Sequence, residues 1–370
     1  MRTLELPAGK SYREWGRIHG ESFRGEIRAL AEIRTYLCTR VGSFSERAQV
    51  MAAAKAHVPV LERYHAGLAA ELLGIAEGAG VTPESVVIAN HYTDLRDLLP
   101  DPASWVPAPT QDDPKLTVRG NAGGEGDGCS VIWSETPSGR ILAQTWDMHA
   151  TAIPYVMMLV VPESADGPAA TLLTVTGCLG MAGMNAARVG IAINNLFSTD
   201  ATLGVVWPAM VRRALHQRTA AAARDTIATS PIGSGHHYFV ADRREAFALE
   251  ASGTRRKQVF AGGAVFVHAN HALDPDIVAR SKVPPTSTTF ERHEWLETDL
   301  ARAPLVDLAD AWQRLGSEDG WPRSVCTNMA TPETPHGVAT CGAIAMNLDT
   351  GELHAQQGFI HNVAPERWQL

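Results

Sequence analysis

The sequence predicts an α+β protein in which a mainly helical N-terminal part precedes a larger part built from antiparallel sheets. Two patterns in the 370 residues lead to this class. Over roughly the first hundred residues, apolar side chains recur mostly every three or four positions, as on one face of a helix. Beyond about residue 128 they gather in short runs bounded by turn residues, and helical patterns come in groups instead of alternating with the runs.

Helical patterns account for the N-terminal part. One buried stripe extends over residues 12–37, and an Ala-rich helical stretch covers about residues 45–78. Thr82, Pro83 and Glu84 then supply an N-cap, a first-turn proline and a favourable acid. A third helix is therefore expected to begin at this point.

A Pro- and Gly-rich stretch interrupts these patterns. Between residues 99 and 128 no regular period is visible, and prolines and then glycines dominate. Such a composition holds no regular element, so we predict a mobile, exposed connection. It is also the best boundary in the chain, and it separates an N-terminal part, residues 1–128, from a C-terminal part, residues 129–370.

Short β-type runs dominate the second part. The predicted strands are 130–133, 141–146, 155–161, 171–176, 190–196, 238–242, 259–267, 339–347 and 352–357. Turn residues that predict antiparallel hairpins lie at 136–139, 242–245 and 349–351. Helical patterns interrupt the strands at about 208–230, 289–300 and 305–315.

Composition and charge limit the classes of partner. With 45% hydrophobic and 19% charged residues, the chain is expected to form a soluble, globular protein. Its 40 acidic and 32 basic residues give a net charge of −8. No basic block is present that could neutralise a phosphate backbone, so no nucleic-acid partner is expected. The longest apolar runs are far too short for a membrane-spanning helix of ~20 residues, so no membrane partner is expected either.

Two further observations concern the compartment. The N-terminal residues lack a basic segment followed by an apolar core and a small-residue cleavage site, so no secretory signal is recognised and a cytoplasmic location is expected. The five cysteines are scattered and odd in number, which is more typical of reduced thiols than of a disulfide framework. At least one thiol is therefore available for chemistry.

Cys129 stands where the Gly-rich stretch meets the first predicted strand, directly after Gly128. A thiol needs a base to become a good nucleophile, and an N-terminal cysteine carries one in its own α-amino group. That amine has a reference pKa of about 7.7–8.0, so near neutral pH a useful fraction is free to accept the thiol proton. The chemistry requires a cut between Gly128 and Cys129, where the unhindered glycine carbonyl favours attack by the sulfur.

Several separated blocks around this junction follow the order found in one enzyme family. The blocks are Gly20-Glu21, residues 71–81, Asp127-Gly128-Cys129-Ser130, Gln144-Thr145-Trp146-Asp147, Gly183-Met184-Asn185 and His268-Ala269-Asn270-His271. Through them nearly the whole chain resembles the acyl-coenzyme A:6-aminopenicillanic acid acyltransferase family, the C45 group of N-terminal nucleophile (Ntn) hydrolases. The resemblance implies a four-layer αββα sandwich, made as a precursor and cleaved before Cys129.

The resemblance also implies roles for residues near the junction. Residues 1–128 and 129–370 would become an α chain and a β chain that stay together as a heterodimer. Cys129 would be the nucleophile. Asp147 would orient the new amino group or assist the self-cleavage, and Asn270 would donate its amide N–H to the oxyanion of the tetrahedral intermediate.

The substrate implied by the resemblance is a small amide or an acyl-coenzyme A-like thioester, whose acyl group is hydrolysed or transferred through a Cys129 thioester. No metal and no organic cofactor is required. Departures from the family pattern, among them a missing basic residue near 326–328, leave the acyl group and the amine undetermined. The candidates for the substrate pocket are His149, Asn194, Asn195 and His268.

Two other functions stay open at this point. A papain-like thiol hydrolase would use Cys129 as nucleophile, His268 as base and Asn270 as orienting residue, and the separation of the cysteine from the histidine lies near the ~130–150 residues typical of that family. Against this alternative, Cys129 lacks the family's local signature and opens a strand instead of a helix. The other alternative is a catalytically silent binding protein with the same fold.

Overall fold

The computed structural model of the protein describes residues 1–121 and 128–370, so the Gly-rich end of the predicted connection, residues 122–127, lies outside the described residues. Short 3₁₀ helices are formed by Pro102–Ser104 and Ala150–Tyr155. The α-helices of the described residues are α1 (Tyr12–Ser22), α2 (Arg24–Arg40), α3 (Arg47–Tyr64), α4 (Ala66–Ala79), α5 (Pro83–Asp97), α6 (Trp207–Leu215), α7 (Ala220–Ala228), α8 (Pro275–Val278), α9 (Thr289–Arg302) and α10 (Leu308–Leu315).

The strands form two sheets. They are β1 (Arg2–Glu5), β2 (Gly128–Thr136), β3 (Gly139–His149), β4 (Val156–Val161), β5 (Ala170–Val175), β6 (Ala182–Asn185), β7 (Gly190–Asn195), β8 (His236–Ala241), β9 (Ala246–Ala251), β10 (Arg256–Ala261), β11 (Val265–His268), β12 (Val338–Asn347), β13 (Glu352–Gln357) and β14 (Glu366–Gln369). The first sheet has the order β1-β4-β5-β6-β7-β8-β9-β10, and the second has the order β11-β2-β3-β12-β13-β14. Neighbouring strands run antiparallel, as predicted, except that β1 and β4 are parallel.

Helices cover the outer face of each sheet, which confirms the expected αββα layering. Between the sheets, the Gln144 side chain on β3 exchanges two hydrogen bonds of 2.9 Å with the backbone of Ile193 on β7. On the outer face of the second sheet, Leu296 of α9 and Trp312 of α10 share an apolar cluster with Ile141 of β3. On the other side, α6 and α7 contact strands β6 to β9 of the first sheet, and α5 packs against α6.

The N-terminal helices are shorter than predicted. The pattern over residues 12–37 predicts one helix, but the chain breaks at Phe23 (φ −132°, ψ 35°) between α1 and α2. The stretch 45–78 is likewise divided at His65, whose side chain caps α4 by accepting a hydrogen bond from Leu68 N. Both predictions of a single helix are wrong because apolar spacing reports which side is buried, and successive helices bury their apolar sides in one core.

Helix α5 begins as predicted. Thr82 is its N-cap, with Oγ1 accepting from Ser85 N at 3.3 Å, and Pro83 is its first residue. No described helix is by itself long and apolar enough to cross a membrane. Helices α4 and α5 reach that criterion only when taken together, and this pair is bent by 118°.

The three predicted hairpins are confirmed as β2–β3, β8–β9 and β12–β13. The helical pattern over 208–230 divides into α6 and α7 because residues 216–219 turn between them. Several elements lie outside the runs that the sequence predicts, although the turn predicted at 242–245 already implies a strand at the position of β9. These are β1, β6, β9, β14 and α8.

One predicted strand belongs to two sheets. The run 259–267 predicts a single strand, but β10 ends the first sheet and β11 is the edge of the second. Gly262 and Gly263 turn the chain between them with φ angles of 78° and 136°, a region that side chains rarely adopt. The crossing sets β11 antiparallel to β2, with His268 opposite Val131. The residues that follow β11 therefore lie beside Cys129.

The connection after α5 is attached to the first sheet. Its described part, residues 99–121, has many exposed side chains, as predicted, and a short 3₁₀ helix that was not predicted. However, Arg255 and Arg256 donate hydrogen bonds to backbone carbonyls within residues 109–114, and Gly120 N donates to Thr199 O at 2.6 Å. The segment is therefore not the loosely attached connection that the sequence predicts. Side chains on both sides of it share one hydrophobic core, and the division into chains 1–128 and 129–370 stays a prediction.

Candidate active site

Gly128 and Cys129 open strand β2 in the interior of the protein. In the β2–β3 hairpin Gly128 lies opposite Asp147 and Cys129 lies opposite Trp146. Cys129 is only 4% exposed. The hairpin register, fixed by the turn at 136–139, thus brings together two of the residues that the sequence singles out.

Asn270 holds the backbone nitrogen of Cys129. Its Oδ1 accepts from Cys129 N at 2.7 Å and from Arg292 Nη2 at 2.9 Å. Two donors meet at one atom, so that atom must be the amide oxygen, and the orientation of the side chain is fixed. The Nδ2 group donates to Asn195 O at 3.0 Å. Nδ2 carries two hydrogens, and the contact to Asn195 uses one of them. The second hydrogen can therefore be donated to another acceptor.

Arg292 is a buried cation in the site. Its Nη1 donates to Cys129 O at 2.7 Å and to Ser130 Oγ at 2.9 Å, and its Nε donates to Thr288 Oγ1 at 2.9 Å. Burial lowers the pKa of its guanidinium, and the negative charge of Asp147 opposes that shift. The Cys129 backbone is therefore held at its nitrogen by Asn270 and at its carbonyl by Arg292.

The sequence patterns above do not single out Arg292. A signal is present, because Arg292, Leu296 and Leu300 follow one another at four-residue spacing on the buried side of α9. An arginine in an apolar stripe marks a buried charge, and a buried charge needs partners.

Asp147 lies against Gly128. Its Oδ1 accepts from Thr340 Oγ1 at 2.8 Å, and its Oδ2 has no hydrogen-bond partner among the described residues. A Cβ built on Gly128 would stand 2.7 Å from that Oδ2, so only glycine fits. Burial raises the pKa of Asp147 to about 6, although Arg292 and the Thr340 hydrogen bond lower it. The carboxylate therefore titrates near the pH at which enzymes work.

His268 does not act on Cys129 in this arrangement. Its Nε2 pairs with Glu250 Oε1 at 2.8 Å, and its Nδ1 with Asn194 Oδ1 at 3.1 Å. Both ring nitrogens are thus used elsewhere, so the papain-like alternative with His268 as base to Cys129 is not supported by the geometry. Asn194 itself reaches the nucleophile, because its Nδ2 donates to Cys129 O at 3.1 Å.

The other pocket candidates lie at the edge of this arrangement. Asn195 follows Asn194 at the end of β7 and meets Asn270 through its carbonyl. His149 ends β3, is buried, and bonds Thr151 Oγ1 through Nδ1 at 2.8 Å. Burial and, less strongly, a nearby Arg34 lower the pKa of His149 well below its usual value, so its ring is neutral. That these side chains contact substrate stays a prediction.

Comparison with known proteins agrees with the resemblance. The family model for acyl-coenzyme A:6-aminopenicillanic acid acyl-transferase matches residues 134–341, which is more than half of the chain. The chain belongs to this family. The match begins shortly after Cys129 and does not include that residue. Family membership assigns the chain to enzymes of the acyltransferase and amidohydrolase type.

Three named relatives illustrate the similarity. The 40 kDa form of acyl-coenzyme A:6-aminopenicillanic-acid-acyltransferase from Emericella nidulans is 23% identical over 318 residues, 85% of this chain and 81% of the relative. A mutant conjugated bile acid hydrolase from Clostridium perfringens has 11% identity and a TM-score of 0.46, over 65% of this chain and 92% of that one. Penicillin V acylase from Agrobacterium tumefaciens has 12% identity and a TM-score of 0.35, over 65% and 84%.

Proposed function

We propose that the chain is a self-processing cysteine enzyme that hydrolyses a small amide or transfers its acyl group. The observation that carries the proposal is the set of contacts around the Gly128–Cys129 junction. Three buried polar side chains contact this junction. Asn270 accepts from the nitrogen of Cys129, Arg292 donates to the carbonyl of Cys129, and Asp147 lies against Gly128. A structural cysteine at a strand start requires none of these groups.

The first step is cleavage of the chain's own backbone. Cys129 Sγ attacks the Gly128 carbonyl carbon, the C–N bond breaks, and the acyl group of Gly128 passes to sulfur while the nitrogen becomes a free amine. Water then hydrolyses the thioester, which leaves a carboxylate on Gly128 and restores the thiol. Asp147, whose pKa is about 6, is ionised at neutral pH and can carry the proton from the thiol to the departing nitrogen.

The new amino group then serves as the base for turnover. It takes the thiol proton, and the thiolate attacks the substrate carbonyl to give a tetrahedral oxyanion. The remaining hydrogen on Asn270 Nδ2 stabilises that oxyanion, an interaction typically worth roughly 3 to 4 kcal/mol. The ammonium returns its proton to the departing amine, and the acyl thioester passes to water or to an acceptor amine.

Arg292 keeps this base in its active, neutral form. Its Nη2 bonds the same Asn270 oxygen that accepts from Cys129 N, so a positive charge lies close to the future amino group. A like charge nearby disfavours protonation of an amine. We infer that Arg292 lowers the pKa of this amine and so favours its neutral form.

The two chains, residues 1–128 and 129–370, are proposed to remain together as a heterodimer. The apolar side chains of α1 to α5 lie in the same core as those of both sheets, so separating the chains would expose a large apolar surface to water. Either a small amide or an acyl-coenzyme A-like thioester would donate the acyl group to Cys129.

Intact-mass analysis of the purified protein tests the proposal. The wild type is expected to appear as two chains divided between Gly128 and Cys129, whereas Cys129→Ala stays whole. Cys178→Ala is the matched control, because Cys178 is equally buried but follows β5 in the first sheet; it should be cleaved like the wild type. An uncut wild-type chain with full amidase activity would contradict the proposal. A cleaved chain whose Cys129 is not labelled by a thiol-reactive acyl probe would favour a silent binding protein.

A further inference from the structure

A row of polar side chains lies behind the nucleophile on the inner face of the first sheet. Asn194, His237 and Glu250 are direct partners on the neighbouring strands β7, β8 and β9. All three are fully buried, and His268 reaches them from β11 of the second sheet. Burying polar groups between two sheets costs free energy unless hydrogen bonds compensate, so the partners of each group matter.

Hydrogen bonds connect the row to Cys129. Asn194 Oδ1 faces Nδ1 of His237 at 2.6 Å and Nδ1 of His268 at 3.1 Å, while Asn194 Nδ2 donates to Cys129 O at 3.1 Å. His268 Nε2 faces Glu250 Oε1 at 2.8 Å. A continuous path therefore leads from Glu250 through His268 and Asn194 to the carbonyl of the nucleophilic residue.

The contacts determine where the protons lie. A carbonyl oxygen only accepts, so Cys129 O requires the NH₂ group of Asn194, and the Asn194 oxygen must face the two histidines. Each histidine therefore carries a proton on Nδ1. Glu250 also accepts from the backbone nitrogens of Leu273 at 2.7 Å and Asp274 at 2.9 Å, so both of its oxygens are held in place. His268 thus bridges a fixed carboxyl group and the Asn194 oxygen.

Three other histidines lie near His268. Its ring stacks on His237 with centroids 3.6 Å apart, and burial together with the charge on His268 lowers the pKa of His237 well below its usual value. His271, on the other side, and His293, on α9, also have lowered pKa values, chiefly because of burial. His268 pairs with the fully buried Glu250 at 2.8 Å, whereas His293 lies 3.4 Å from Glu297, whose side chain is exposed.

The geometry points to Glu250 and His268 as positioning residues for Cys129, acting through Asn194. The inference rests on the proposed function, since it names the groups that hold that function's nucleophile. Two N–H donors on one side fix the amide plane of Asn194, so its opposite N–H is aimed at Cys129 O. Together with Arg292 Nη1 at 2.7 Å, it locks the carbonyl and with it the orientation of the amine and the sulfur.

Loss of the hydrogen bond between Glu250 and His268 should therefore lower the rate of catalysis more than it weakens substrate binding. Neither residue is required to touch substrate, so KM should change little. A nucleophile displaced by about 1 Å can lose about 100-fold in rate. We expect Glu250→Gln and His268→Gln to lower kcat and the rate of self-cleavage by about 10- to 100-fold, with KM within about twofold of the wild type.

Glu71→Gln is the matched control. Glu71 is equally buried and bonds Arg212 through both oxygens at 2.9 and 3.1 Å, a pair that lies away from the row behind Cys129. All variants are compared by thermal unfolding, intact mass, kcat and KM. Glu71→Gln should lose thermal stability and keep the wild-type kcat. Equal losses of kcat in Glu71→Gln and Glu250→Gln, or an unchanged kcat in Glu250→Gln, would overturn the inference.

A second test uses the wild-type protein, so it does not depend on whether a variant folds. Nitrogen-15 spectra of the histidine-labelled protein at pH 7 should show His237 and His268 each with a proton on Nδ1, assigned from the coupling to neighbouring protons. A His268 ring without a proton on Nδ1 would overturn the inference. The proposed function fails separately, if the wild type is not cleaved before Cys129.

Discussion

The carboxylate of Asp147 fills the space that any side chain at position 128 would need. A Cβ built on Gly128 would stand 2.7 Å from Asp147 Oδ2 and 2.9 Å from Asp147 Cβ. Asp147 is fully buried and held by Thr340, so it cannot move aside without losing that hydrogen bond. Strand pairing places Gly128 opposite Asp147, and the absence of a side chain at position 128 leaves room for the carboxylate.

Gly128→Ala should slow self-cleavage and destabilise the protein. The new methyl group must displace the Asp147 carboxylate, and overpacking of this kind typically costs about 1 to 3 kcal/mol. We expect cleavage to slow by at least about tenfold in a time course followed by intact mass. Gly25→Ala is the control, because a Cβ built on Gly25 in α2 meets no atom within 4 Å. Wild-type cleavage of Gly128→Ala would show that the Asp147 position is not needed.

Asp147→Asn should abolish self-cleavage while making the protein more stable at alkaline pH. Because burial raises the pKa of Asp147 from 3.8 to about 6, the folded protein binds a proton between about pH 4 and 6 that the unfolded chain does not. Stability therefore falls as pH rises through this window, by about 2 to 3 kcal/mol in total. The uncharged amide avoids this loss.

Thermal unfolding at two pH values checks that expectation. At pH 8 Asp147→Asn should melt above an uncleavable Cys129→Ala reference, and at pH 4 the two proteins should melt closely together. Both are expected to stay uncut, so cleavage does not complicate the comparison. A stability difference that is the same at pH 4 and pH 8 would mean that ionisation of Asp147 is not its source.

Arg292→Met should move the pH dependence of turnover to higher pH. The positive charge beside Asn270 disfavours the protonated form of the Cys129 amine. Removing that charge therefore raises the pKa of the amine. Activity then falls near pH 7 and recovers as the pH increases. The measurement is the acid limb of the pH profile of kcat/KM for the cleaved enzyme.

Arg323→Met is the control. Arg323 is exposed and pairs with Glu291, which lies on the same helix as Arg292, and its removal should leave the acid limb in place. An unshifted limb in Arg292→Met would contradict the electrostatic role.

The sequence predicts those site residues that a visible local motif, such as a hairpin turn, brings together. Cys129 and Asp147 come together because one hairpin turn, at 136–139, fixes their register, and turn residues are visible in sequence. Asn270 is predicted from family resemblance, and the structure adds that its oxygen holds Cys129 N. Glu250 could not be found in this way, because its partners lie on other strands or loops that only the tertiary fold brings together.

The same distinction explains the errors in the fold. The break at Phe23 has no proline or glycine directly before it to announce it, and the apolar spacing continues through it, so the sequence pattern does not reveal it. The switch between sheets at Gly262 and Gly263 does leave a signal. A glycine pair inside a strand pattern marks a turn, and dividing the run there would have separated β10 from β11.

Asn270→Asp separates the two roles proposed for Asn270. The carboxylate retains an oxygen for Cys129 N and for Arg292 Nη2 but lacks the amide hydrogens. If Asn270 only holds the amine, turnover survives. If its N–H stabilises the oxyanion, kcat falls by about 10²- to 10³-fold while KM changes little, as when a single oxyanion donor is removed.

The added negative charge requires one precaution in this experiment. It raises the pKa of the Cys129 amine, so the variant and wild type must be compared on the alkaline plateau of their own pH profiles, where the amine is neutral in both. Cleavage should be assayed first by intact mass, because turnover requires a free amine. A cleaved Asn270→Asp enzyme with a plateau kcat within about threefold of the wild type would assign Asn270 to holding the amine alone. The oxyanion donor would then have to be sought among backbone N–H groups near Cys129.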